Sequence, residues 1–301
     1  MREAYIQYIT SVKRYSPRTQ EIYADVLERF ETFAGARAEE CMTPQLLRAY
    51  EADLMARDMS PRTVHQHMSV LSGFARFLVQ RGVLESNPVR AVRKPKMEKR
   101  LPVHYRQAEM EQYLAETAWV AESGNFPQRL RRLIVHMLYA TGLRRAELIG
   151  LELQSFDPAR GILHVRGKGD KMRDIPIISS LSQEISLYLN AAKSMEGVER
   201  TPSSPLLITP KGGKLYPEFV DRAVKAELDK AGIQGRKSPH ALRHTLATSL
   251  LEDGASLTSI KEVLGHSSLA ATQVYTHATV ERLKKVYANA HPRAKKGNSY
   301  D

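Results

Sequence analysis

Two strings in the last quarter of the sequence, SPHALRHTLATSLL (Ser238–Leu251) and LGHSSLAATQVYTHAT (Leu264–Thr279), combine residue types suited to chemistry on a phosphate diester. Arg243, together with Arg144 from the earlier string TGLRRAELIGL, can fork onto non-bridging phosphate oxygens. A guanidinium keeps its charge at any pH near neutral. Tyr275 offers a nucleophilic oxygen, while His240, His266 and Lys168 can carry protons. A phenol with an ordinary pKa near 10 attacks poorly at neutral pH unless its proton is removed or shared. Imidazole and guanidinium groups can do this if the fold brings them close.

Each string alone has a plainer explanation. With 13 tyrosines in the chain, core packing is the default for any one of them. An arginine at a helix start or a lysine at a turn is usually solvated. Glu147, three residues after Arg144, is at helical spacing to pair with Arg144 or Arg145. VRGKGDKMR resembles a phosphate-binding loop only superficially, because five residues separate Gly161 from Gly167 and Gly169 follows Lys168. His240 and His244 have the spacing of a zinc-hydrolase helix, but Ala241 stands where that motif needs Glu. No metal and no cofactor is expected.

The elements that must position these residues can be read from periodicity and caps. Residues 1 to about 92 read as a small helical domain. Ser16-Pro17-Arg18-Thr19 and Ser60-Pro61-Arg62-Thr63 each supply an N-cap and a proline at the first helical position. Ile22, Val26, Phe30 and Phe33 follow the first at helical spacing; Val64, Leu71, Phe74 and Leu78 follow the second, which Gly82 stops. Residues 93–103 form a basic linker. Its segment RKPKMEKR holds five basic residues and one acidic, and Lys94, Lys96 and Lys99 are candidates for contact with a DNA backbone. Gln128 to Ala140 reads as an apolar helix broken at Thr141-Gly142, and a short helix runs from Arg144 to Leu151. GILHVRG and KMRDIPI flank Lys168-Gly169-Asp170 and read as a β-hairpin. Later helices start at Ser238-Pro239 and Ser267-Ser268. The expected fold is mainly α with a small antiparallel sheet, in domains 1–92 and 104–290. Residues 291–301 read as a tail, disordered or docked on a partner.

The 301 residues carry 45 basic and 33 acidic side chains, a net charge of +12 that favours a polyanionic partner. The single cysteine, Cys41, rules out an internal disulfide and fits a reducing compartment. No apolar run approaches the roughly 20 residues that span a bilayer, and MREAYIQYITSVKRY lacks the apolar centre of a signal peptide. A soluble, cytoplasmic protein is expected, with no membrane partner.

TGLRRAEL, VRGKGDKMRDIPI, HALRH, LGH and QVYTH stand in the order and at the spacings of the tyrosine recombinases. The chain most resembles their Xer and phage-integrase group, over nearly its whole length. The resemblance implies an N-terminal core-binding domain and a catalytic domain that cleaves and rejoins DNA. Tyr275 would form a 3′-phosphotyrosine, with exchange passing through a Holliday junction. Arg144 and Arg243 would hold the non-bridging oxygens, and Lys168 would protonate the leaving 5′ oxygen. His240 and His266 would serve as proton carrier and phosphate hydrogen-bond donor, and Glu147 would orient a catalytic group. The one departure is Arg145-Ala146, where the family usually has an aliphatic residue and then a small one.

The implied partner is double-stranded DNA with paired inverted half-sites, bound by a tetramer at the synapse, with or without a second recombinase. Chromosome dimer resolution and the integration or inversion of a mobile element are both open. Two further readings remain at this point: a type IB-like topoisomerase, and a DNA-binding module without catalysis. Val280, Leu283 and Val286-Tyr287 continue an apolar period past Tyr275, so the segment from about Glu281 is expected to dock on a neighbouring subunit.

Overall fold

The computed structural model describes residues 1–93, 95–96, 105–167, 170–195, 199–252, 254, 256, 258, 260 and 264. The chain divides into two compact units, Met1–Arg100 and Leu101–Asp301. Each described unit has its own buried apolar cluster.

The first unit contains α1 (Arg2–Ser11), α2 (Pro17–Ala34), the short α3 (Ala38–Cys41), α4 (Pro44–Ala56) and α5 (Pro61–Gln80). Both SPRT strings do what their composition dictates. Ser16 and Ser60 accept from the backbone N–H groups of Thr19 and Thr63 at 3.3 and 3.2 Å, with proline at the first helical position. Losing such a cap costs about 0.5–2 kcal/mol. Thr43 caps α4 in the same way, at 3.3 Å to Leu46. Phe30, Tyr50, Phe74 and Leu71 meet in the centre of this bundle. A 3₁₀ turn at Pro88–Ala91 follows, and His65 Nε2 donates to the Pro95 carbonyl at 2.7 Å, tying the start of the basic linker back to α5. Lys96 is exposed; Lys94 and Lys99 lie outside the described residues.

The second unit is organised around α8 (Phe126–Thr141), reached through α6 (Gln107–Glu116) and α7 (Ala118–Ser123). From Leu130 to Thr141 nearly every α8 side chain is buried, as expected of a helix with apolar residues around most of its circumference. Asn125 starts it with a capping box to Gln128, and Gly142 ends it at φ +62°. The short α9 (Arg145–Ile149) follows, one residue later than the sequence expectation and two residues shorter at its far end. The anticipated hairpin is present as β2 (Ile162–Arg166) and β3 (Met172–Pro176), paired antiparallel with Leu163 opposite Ile175 and Val165 opposite Arg173. A two-residue strand β1 (Phe156–Asp157) extends it to three strands in the order β1-β2-β3. Helices α10 (Ser179–Lys193), α11 (Pro217–Lys230) and α12 (Pro239–Glu252) then pack on α8. The expected mainly helical architecture with a small antiparallel sheet is therefore what the chain adopts. No described helix is long and apolar enough to cross a membrane. The helix expected from Ser267-Ser268 and the segment from Glu281 onward lie outside the described residues.

Candidate active site

The site is built where the end of α8, the start of α9, the inner face of β3 and the start of α12 converge. Arg144 is the N-cap residue of α9, in extended conformation. Glu147, one turn into that helix, accepts from the Arg144 backbone N–H through Oε2 at 2.9 Å and from Arg144 Nη1 through Oε1 at 2.6 Å. Of the two partners that spacing allowed, the carboxylate has taken Arg144. Arg145 points elsewhere and pairs with Asp221 of α11. The unusual Arg145-Ala146 pair is therefore accommodated by a half-exposed ion pair between α9 and α11, on the other side of the short helix from Glu147.

A residue that the sequence analysis did not single out completes this arrangement. Arg173 of β3 is 7% exposed and grips Glu147 with both terminal nitrogens, Nη1 to Oε1 at 3.0 Å and Nη2 to Oε2 at 2.8 Å. The signal was available. Along a strand, residues i and i+2 share a face, so Arg173 must lie on the same side as buried Ile175. A guanidinium on the core face of a strand needs a carboxylate within reach. Burial pushes the Glu147 pKa up, but the hydrogen bonds and charge of Arg173 and the bonds from Arg144 outweigh it. The carboxyl is held below its ordinary range.

Arg243, in the second turn of α12, is buried and anchored by carbonyls. It donates from Nη1 to Gly142 and from Nη2 to Leu264, the latter at 2.5 Å. Burial and, after it, the charge of Arg144 lower its pKa against the pull of Glu147, to about 10 in all. Arg243 nevertheless stays protonated throughout the neutral range. Arg144 and Arg173 thus share one carboxylate, and Arg243 is anchored on Gly142, two residues before Arg144, leaving an excess of fixed positive charge suited to an anion.

Ser238 caps α12, its Oγ accepting from the Ala241 N–H at 3.2 Å. His240 is exposed in the first turn, its ring 4.8 Å from that of His244 and nearly perpendicular to it. The start of α12 is also stitched to residue 105. The Tyr105 N–H donates to Thr245 Oγ1 at 2.9 Å, and its hydroxyl donates to the Arg236 carbonyl at 2.7 Å. The arms of the β2–β3 hairpin are described up to Gly167 and from Asp170. Lys168 at its tip, His266 and Tyr275 lie outside the described residues. No cluster of three or more metal-ligating side chains forms among the described residues.

Gly142 is a point where the site depends on one backbone conformation. Its φ of +62° suits glycine, and a Cβ there would lie 2.6 Å from Leu264 Cδ2 and 3.0 Å from Leu246 Cδ2. Gly142→Ala combines left-handed strain with overpacking and is expected to cost about 2–4 kcal/mol. It should also displace the carbonyl that anchors Arg243. Thermal denaturation and DNA cleavage by the variant check this, and an unchanged melting temperature would contradict it.

Comparison with known proteins agrees with this arrangement. The sequence profile of the phage integrase family matches residues 107–282, and that of the phage integrase N-terminal SAM-like domain matches residues 3–82. The tyrosine recombinase XerC of Bacillus subtilis (strain 168) is 34% identical over 299 residues, covering 98% of this chain and 97% of that protein. The protein of the same name from Mycobacterium sp. (strain KMS) is 35% identical, over 97% of this chain and 98% of its own. Among solved structures, the Tn1549 transposon integrase in complex with transposon right-end DNA aligns with a TM-score of 0.69 at 19% identity, covering 94% of this chain and 99% of that one. The XerH site-specific recombinase bound to a palindromic difH substrate aligns at 0.66 and 21% identity, over 95% and 83% of the two chains. At those identities the two structures show a shared fold. With its catalytic profile spanning more than half the sequence and curated relatives matching nearly end to end, the chain belongs to the phage integrase family, the tyrosine recombinases.

Proposed function

We propose that the chain is a site-specific recombinase that breaks and rejoins double-stranded DNA, with Tyr275 as nucleophile and Arg144 and Arg243 as the fixed cations on the scissile phosphate. Membership of the tyrosine recombinases makes it a DNA strand transferase. The observation that carries the residue assignment is that Arg243 is anchored on the Gly142 carbonyl, two residues before Arg144, whose guanidinium is held by Glu147. A phosphate diester entering there gives the two cations a shared counter-charge. Charge growing on its equatorial oxygens in the transition state strengthens that interaction.

In the proposed reaction the Tyr275 oxygen forms a bond to phosphorus as the bond to the 5′ oxygen breaks. The phenolic proton passes to a basic group, with His240 and His266 as candidates, and Lys168 delivers a proton to the departing oxygen. The phosphotyrosine preserves the energy of the cleaved bond, so a 5′ hydroxyl from a second duplex reverses the step without ATP. Lys94, Lys96 and Lys99 of the linker would follow the DNA backbone. Four protomers on paired inverted half-sites, exchanging segments from about Glu281, would make the assembly symmetrical. Net charge and the Xer-like relatives fit a role on the chromosome in the cytoplasm, in dimer resolution or element mobility.

Strand exchange between two labelled duplexes carrying the target site tests this reading against a topoisomerase. Recombinant products and a four-way junction intermediate are expected. Relaxation of supercoils with no joint products would overturn it.

A further inference from the structure

Glu147 is the point through which the hairpin and the start of α9 are joined. Four hydrogen bonds converge on its two oxygens, two from Arg144 and two from Arg173. Both terminal nitrogens of Arg173 are engaged there, and the residue is almost wholly buried, so its reach ends at the carboxylate. Gly167, which opens the β2–β3 loop, lies against the same pair. A Cβ on Gly167 would stand 3.1 Å from Arg173 Nη1 and 3.8 Å from Glu147 Oε1.

We propose that Arg173 is a positioning residue for DNA cleavage, which acts through Glu147 to fix the Arg144 guanidinium and packs beside Gly167 at the start of the β2–β3 loop. The proposal rests on the reading of Arg144 as a phosphate-binding cation.

Stability alone is a poor reason for the Arg173–Glu147 pair. Desolvating two charges offsets most of their attraction, and apolar residues of similar volume hold a core at least as well. Val165 lies opposite Arg173 and Ile175 shares its strand, so the position offers apolar neighbours to an apolar side chain. What an apolar residue could not supply is a planar fork that sets the carboxylate at one angle. That angle matters because Glu147 also holds Arg144. Without Arg173, two of the acceptor positions on Glu147 open. The carboxylate is then drawn further onto Arg144 and neutralises charge that would otherwise meet the phosphate. The carboxylate's ionised state depends on the same fork, since the Arg173 hydrogen bonds are the largest influence opposing its burial.

The test uses the full-length chain with Arg173→Gln, Arg173→Lys, Glu147→Gln, Arg144→Gln and the double variant E147Q/R173Q. Each is assayed for half-site affinity, thermal stability and single-turnover cleavage at saturating DNA. A second substrate carries an uncharged methylphosphonate at the scissile position, which lowers the demand for fixed cations. R173Q should bind the half-site like the unsubstituted chain and cleave about 10- to 100-fold more slowly, the range for groups that orient a reacting one. Its deficit should shrink on the methylphosphonate, as that of R144Q should. The double variant should be no slower than the slower single variant, and R173K should recover part of the rate. If R173Q does not fold, R173K and the double variant, which buries no lone carboxylate, decide the matter by the same comparisons. A deficit of equal size on both substrates, additive with E147Q, would reduce Arg173 to a structural residue and overturn the proposal. So would an R173Q cleavage rate equal to that of the unsubstituted chain. If the unsubstituted chain forms covalent complex and R144Q is slow, the reading of Arg144 stands whatever R173Q does. Absence of any covalent complex from the unsubstituted chain would overturn both.

Discussion

Tyr275→Phe is expected to eliminate covalent protein–DNA complex while leaving half-site binding and thermal stability nearly unchanged. The substitution removes one oxygen and keeps the ring, so packing and most DNA contacts survive. No other step can proceed without that oxygen, because the proposed intermediate is the phosphotyrosine itself. The arginines would still hold the phosphate, but holding a diester does not supply an attacking group, and removal of a nucleophile costs on the order of 10⁶-fold where it has been measured in a hydrolase. A nicked substrate that loses a short strand on cleavage traps the intermediate, which a denaturing gel resolves. A band that persists in the variant would assign the attack to a different side chain.

Arg243→Ala is expected to slow cleavage by at least about 10²-fold, the scale for deleting one preorganised charge donor. Arg243→Lys should rescue it poorly, for two reasons drawn from the surroundings of the residue. The buried carbonyls of Gly142 and Leu264 each take one terminal nitrogen of the guanidinium, and a single ammonium cannot reproduce that fork. The same burial and Arg144 charge that bring Arg243 down to about 10 would act on a lysine, whose ordinary pKa is about 10.4. A lysine placed there would lose its proton as pH rises from about 7 to 9, and only its charged form can serve the phosphate. Cleavage by R243K should therefore fall across this window relative to the unsubstituted chain, whose Arg243 remains protonated. Single-turnover rates measured against pH decide this. A constant ratio across the window would mean that the environment of residue 243 is more solvated than the structure describes.

Much of this architecture is local, and that part was legible. The SPRT caps, the apolar run from Gln128 to Ala140 broken at Thr141-Gly142, and the hairpin around Lys168 each follow from residues within one or two turns of each other, although the helix of that apolar run starts earlier, at Phe126. Strand β1 was not legible, because two residues carry no alternation and it exists only by pairing with Leu163 and Ile162. Helices α10 and α11 also go beyond the sequence expectation, although Leu181, Ile185, Tyr188 and Ala192 of α10 do recur at helical spacing. At the site, spacing confined Glu147 to one of two adjacent arginines and could go no further. The choice was made by α9 starting at Arg145, which turns that side chain towards Asp221 and leaves Arg144 as the cap. Arg173 carried a readable signal in its strand parity. Its partner, 26 residues earlier on another element, did not.

The anchoring of Arg243 by the Gly142 carbonyl has a further consequence, for the nascent chain. The two residues are 101 positions apart, and the bond from Tyr105 to Thr245 closes a separation of 140. Contacts of such range form late, because loop closure must precede any reward from the contact. A growing chain that has already made Arg144 and its Glu147 clamp still lacks the second cation and the frame around it until about a hundred more residues have been added. On the proposed assignment of Arg144 and Arg243, a partly synthesised or partly folded copy would hold one phosphate-binding cation without the other, and the power to break DNA would arrive only with the nearly complete fold.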